Sequence, residues 1–137
     1  MGTGKEVYAT LKIASSTLCA KDIASILGLI PSELFKKGEM YGKRSPRLMK
    51  ESICFFESKT SRHEPIEEHI AELLKLLVDK IEQIEYLSKY CDITLFGFYS
   101  TDSGQGGICL SHELICQLAL LRIDLIFDLH LSETDDH

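Results

Sequence analysis

A chain of 137 residues with 45% hydrophobic and 26% charged residues fits one domain and carries enough apolar side chains for one core. No apolar run approaches the roughly 18–20 residues of a helical membrane span, so no membrane partner is expected. The net charge of -6 divides into +5 over residues 1–62 and -11 over residues 63–137, which argues against a polyanion as partner and for one that reads negative charge.

The start, MGTGKEVYATLKI, has no signal-peptide hydrophobic region, and the expected compartment is the cytoplasm. VYATLKIAS (7–15) alternates as a strand, with Val7, Ala9, Leu11 and Ile13 on one side and Tyr8, Thr10 and Lys12 on the other. In LCAKDIASILGL, Ile23, Ile26 and Leu27 share a helical face and Gly28 is a stop. KKGEMYGKRSPRLMK (36–50) carries six positive charges and one negative among turn residues, and reads as a hairpin or loop. SICFFES (52–58) has high β-propensity.

The spacing of Ile66, Ile70, Leu73, Leu74, Leu77, Ile81 and Ile84 makes one apolar stripe of about six turns and predicts one helix from Pro65 to near Tyr90. DITLFGFYS (92–100) reads as a strand, TDSGQGG as a turn and GICLS (107–111) as a short strand. Ser111 is placed to cap HELICQLALL, and DLIFDLHLS (124–132) is a last, nearly continuous apolar strand. The predicted fold is α+β, a single domain over 1–137, with an antiparallel or mixed sheet covered by helices in the approximate order β-α-β-β-α-β-β-α-β. Residues 1–6 and 132–137 are expected to be flexible.

The chemistry-bearing residues are sparse. The five cysteines form no CxxC and lie in or beside apolar segments, so buried reduced thiols are expected. STDSGQGG has no lysine after its glycines and reads as a tight connection rather than a phosphate loop. His63, His69 and the His112–Glu113 pair have no nucleophile or carboxylate that the sequence places in a cleft and orients by a second group. No catalytic residue, metal or cofactor is therefore expected, and the chain reads as a non-enzyme. The basic segment holds a single aromatic, Tyr41, too few for the stacking platform of a single-strand binder, so direct nucleic-acid binding is not expected.

Several of Glu64, Glu67, Glu68, Glu72, Asp79, Glu82 and Glu85 are expected to share the outer face of the long helix, with Asp102 adding to the field. Such a surface suits docking of a basic protein by complementary charge. The ordered set YATLKI, DIASILGLIPSE, KKGE, SICFFES, PIEEHIAELLKLL and ICLSHELICQLALLRIDLIFDLHL resembles the bacterial four-two-seven-nine family of domains of unknown function, over about residues 7–131. The strand matching SICFFES often carries a Trp in that family, and this chain has none. The resemblance implies a small α+β domain; similar proteins include some encoded beside polymorphic toxins, including those of contact-dependent growth inhibition.

The expected function is therefore an immunity protein that binds and neutralises a cognate bacterial toxin domain, a basic nuclease and possibly a tRNA-cleaving one, by occluding its active site. The alternative is a scaffold or ligand-sensing domain, with Lys37, Arg44 and Arg47 around an anionic metabolite in a pocket between sheet and helices. The sequence sets no oligomeric state beyond the monomer.

Overall fold

The computed structural model describes residues 6–102 and 107–131. Among them the elements run β1 (Glu6–Ser15), α1 (Ala20–Leu27), β2 (Glu33–Phe35), β3 (Met40–Tyr41), β4 (Arg47–Leu48), β5 (Ser52–Glu57), α2 (Ile66–Leu77), α3 (Ile81–Leu87), β6 (Asp92–Thr101), α4 (His112–Leu121) and β7 (Asp124–Leu131). The expectations for the first five residues, for the glycine turn at 103–106 and for the acidic end beyond Leu131 lie outside the described residues.

The fold is α+β. A five-stranded mixed sheet has the order β2-β5-β1-β6-β7, and β3 and β4 form a separate two-stranded hairpin. The alternation in β1 puts Val7, Ala9, Leu11 and Ile13 into the core, all at 1% exposure or less. The helices cover that face: α2 packs on β1 and β6, α1 on β5, and α3 and α4 close the layer behind them. β7 runs parallel to β6, and α4 lies in the connection between them; the other pairings are antiparallel.

Local chemistry explains the element ends. Gly28 closes α1 at φ 73°, a left-handed conformation that costs glycine nothing. The Ser111 hydroxyl accepts from the Leu114 N–H and starts α4. Gly97 sits under α2 because a Cβ there would come within 2.8 Å of Ile66 Cδ1 and 2.9 Å of the Phe127 ring.

Two expectations are corrected. The six-turn helix is two helices, broken at Val78–Lys80. Val78 and Asp79 are exposed and are poor helix formers, so little holds the helix straight there. The turn lets Ile84 and Leu87 enter the core on the side where α3 packs against α1. GICLS forms no strand; residues 107–111 are irregular up to the cap at Ser111. The apolar run of β7 forms the edge strand of the sheet, with Ile126, Leu129 and Leu131 each about half exposed.

Candidate functional site

The face of the sheet opposite the helices is built by the second half of each alternation. The register aligns Phe98 with Tyr8, and Phe96 with Thr10 and Glu57. One row further on, Thr94 aligns with Lys12, Phe55 and Glu33. Asp128 lies beside Phe98 and Ile126 beside Phe96. Thr10 is the short side chain at the centre, and the longer ones around it leave a concavity of about 450 Å³. Its lining includes Tyr8, Phe55, Phe96, Phe98, Glu33, Glu57 and Asp128.

Aromatic contacts frame this depression on two sides. Tyr8 and Phe98 stack at 4.8 Å, and Phe98 meets the His130 ring at 5.0 Å. Phe35 makes edge contacts with Phe55 at 5.9 Å and with Tyr41 at 4.6 Å, which brings the hairpin to the margin of the face. The four aromatic rings that line it are half-buried rather than buried, so they keep contact surface for an incoming group.

Six carboxylates share this face by strand parity: Glu6, Glu33, Glu57, Asp92, Asp124 and Asp128. Against them stand Lys12 and Arg62. The Arg62 guanidinium lies 4.3 Å over the Tyr8 ring, with Nη2 2.7 Å from Glu57 Oε2 and Nη1 3.8 Å from Glu6 Oε1. His130 Nε2 lies 3.1 Å from Asp128 Oδ1.

The loop carrying Arg62 is held from behind by α2. His69 is completely buried; its Nε2–H donates to the Ser61 carbonyl at 2.9 Å and its Nδ1 accepts from the Ser58 hydroxyl at 2.7 Å. A carbonyl oxygen only accepts, so Nε2 carries a proton. Ser58 Oγ in turn accepts from the Ala9 N–H at 3.0 Å, so one chain of bonds joins β1, the loop and α2. One helical turn on, the Glu72 carboxylate accepts from the Lys59 and Thr60 N–H groups and from Thr60 Oγ1, at 2.7–2.9 Å.

Burial alone would raise the Glu72 carboxyl. The Thr60 hydroxyl and the two backbone donors outweigh that and hold it below the usual glutamate range. A depressed carboxyl adds stability above its unfolded-state pKa, and that stability fades as pH falls through the folded value. Glu72→Gln is therefore expected to destabilise the protein near neutral pH, with the gap to wild type shrinking in acid. Urea unfolding at a series of pH values measures this; a gap that stays constant into acid would contradict the clamp.

The acidic residues singled out on sequence are not brought together on one helix. Glu72 is committed to the loop, and Glu67 Oε2 accepts from the Ser111 N–H at 3.0 Å. Glu64 is half-buried near the start of α2. Glu68, Asp79, Glu82 and Asp102 are exposed, and the break puts Asp79 in the turn and Glu82 on α3.

Of the basic trio, Lys37 Nζ donates to the Ser16 carbonyl at 2.9 Å and lines a concavity of about 400 Å³ at the start of α1, together with Lys21 and Lys36. Arg44 and Arg47 stand on the hairpin, exposed and away from that lining. Among the described residues, no group of three or more His, Cys, Asp or Glu could hold a metal ion.

The sequence neighbourhood of this fold is now decisive. A family model described as a domain of unknown function (DUF4279) matches residues 5–132. The chain belongs to this family. No curated protein and no solved structure matches it significantly. For this DUF4279 chain the open sheet face is thus assigned on its own geometry. No helix among the described residues is long and apolar enough to cross a membrane.

The expectation of buried thiols holds for Cys54 and is corrected for Cys19, Cys109 and Cys116, which are exposed. Burial pushes the Cys54 thiol up to about 11, and its Sγ donates to the Ala20 carbonyl at 3.2 Å. The half-buried Cys91 is also raised, by burial. Thiolate is the reactive form. A disulfide reagent at mildly alkaline pH is therefore expected to label Cys19, Cys109 and Cys116 quickly in the native protein, and Cys54 only after denaturation. Peptide mapping of the labelled sites measures this; rapid native labelling of Cys54 would contradict the packing of β5 under α1.

Proposed function

We propose that this chain is an immunity protein: a non-catalytic inhibitor that docks a basic bacterial toxin domain, a nuclease by class, and covers its active site. The observation that carries this reading is the open sheet face, with half-buried aromatic rings at its centre and acidic groups around them. Aromatic residues in the centre with polar groups at the rim are the anatomy of protein interfaces. Negative rim charge speeds capture of a basic partner.

Size agrees. Five strands at about 4.8 Å span roughly 19 Å, and at about 3.3 Å per residue the two ten-residue strands at the middle run roughly 33 Å, the face shortening toward the three-residue β2. That is of the order of the ~800 Å² each partner gives to a standard interface. The toxin as partner rests on the family resemblance; the docking surface rests on the sheet. A cytoplasmic site of action follows from the same reading, because a nuclease toxin meets its substrate there.

The test is a tagged pull-down from the native cells, washed at moderate salt, with bound proteins identified by mass spectrometry. A stoichiometric basic protein with a toxin or nuclease domain is expected. Capture of no protein, in cells shown to express the neighbouring genes, would overturn the proposal.

A further inference from the structure

We propose that the concavity over Thr10 is a receptor for a guanidinium side chain presented by the protein partner, an arginine inserted between the aromatic walls and the carboxylates. This rests on the docking function proposed above and names the contact at its centre. No Lys or Arg lines the depression, whereas Phe55, Phe96 and Phe98 supply π faces and Glu33 and Asp128 supply carboxylates that Arg62 does not engage. A cation over an aromatic face is attracted by the ring quadrupole, and more strongly where water is excluded. A planar fork of N–H donors suits carboxylates better than an ammonium does.

The chain itself demonstrates the chemistry at the margin of the same face. Arg62 stacks its guanidinium on Tyr8 while bonding Glu57, which uses one ring and one carboxylate. Phe96 and Phe98 have no such cation over them among the described residues, and Glu33 has no ion pair there. Among the described residues the one ion-pair partner of Asp128 is His130. Lys12 is the other cation of the face; it lies one row from Thr10 and outside the lining, so it leaves the depression to an incoming charge. The volume of about 450 Å³ accommodates an arginine side chain with its ordered water.

The experiment titrates the isolated chain with agmatine, an alkyl guanidinium, and follows the aromatic ring resonances by NMR. Pentylurea, nearly the same shape without either of agmatine's two charges, and 1,5-diaminopentane, which keeps two ammonium charges without a guanidinium, are the controls, and either one binding as tightly as agmatine would overturn the inference. Saturable shifts centred on Phe96, Phe98 and Tyr8 are expected with agmatine and not with pentylurea. Glu33→Gln combined with Asp128→Asn, two exposed and conservative changes, is expected to weaken binding by roughly threefold to tenfold.

Absence of saturable shifts, equal binding of pentylurea, or undiminished binding by the double variant would each overturn the inference. Much tighter binding of free spermidine than of agmatine would overturn it too, by marking a free polyamine as the occupant. The readout needs no partner. A chain that captures a basic protein yet ignores agmatine would keep the proposed function and lose this inference.

Discussion

His69→Ala is expected to destabilise the protein by about 3–5 kcal/mol, a large share of the roughly 5–15 kcal/mol of a typical domain. The ring is completely buried, so its removal leaves a cavity between α2 and the strands. It also leaves the Ser58 hydroxyl without an acceptor and the Ser61 carbonyl without its donor. Left unpaired, the buried Ser58 hydroxyl costs about 1–3 kcal/mol, while the carbonyl of the exposed Ser61 can turn to water. The damage would spread along the loop, because Ser58 also receives the Ala9 N–H and the Arg62 carbonyl receives the Val7 N–H at 2.9 Å. Urea unfolding measures the effect. A loss below about 1 kcal/mol, the scale of an ordinary surface change, would mean that the ring is not held by those two bonds.

The second large effect concerns binding. Phe96→Ala with Phe98→Ala is expected to weaken capture of the protein partner by at least about 30-fold, the equivalent of ~2 kcal/mol for the loss of a central aromatic anchor. Both rings are half-buried on the open face and neither belongs to the core under the helices. The unfolding midpoint should therefore move far less than it does for His69→Ala. Titration of the purified partner into each variant, beside its unfolding curve, separates the two effects. Equal affinity of wild type and double variant would remove the open face from the interface.

Much of the frame was legible in the chain. Alternation gave β1 with its core side correct, and single residues with one conformational role, Gly28 and Ser111, marked helix ends. The break between α2 and α3 was hidden because the apolar stripe runs through it without a missed position. Only the weak propensity of Val78 and Asp79 hinted at a turn, and propensity yields to tertiary packing. The end of α4 was hidden for a different reason: Arg122, not glycine, takes the left-handed position at φ 58°.

The site was less legible than the frame. Charge counting found the acids of α2, but Glu72 is committed to residues 59 and 60, and Glu67 to residue 111. No single-sequence pattern reveals such pairings. The open face carries a signal of its own. In β5 and β6, Phe55, Phe96 and Phe98 occupy the positions that alternate away from the core, where polar residues are the ordinary choice for a solvated face. The carboxylates around them come from five strands, so they gather only once strand order and register are known.

The most direct measurement is growth protection. The captured toxin domain is expressed in cells that carry the wild-type chain, the Phe96→Ala/Phe98→Ala variant or a Glu68→Lys/Asp79→Lys variant on the helix side. Protection by the wild type and the helix variant, and its loss with the open-face variant at equal protein level, is the expected result. Full protection by the open-face variant, or protection lost only when Glu68 and Asp79 are reversed, would contradict docking through the sheet.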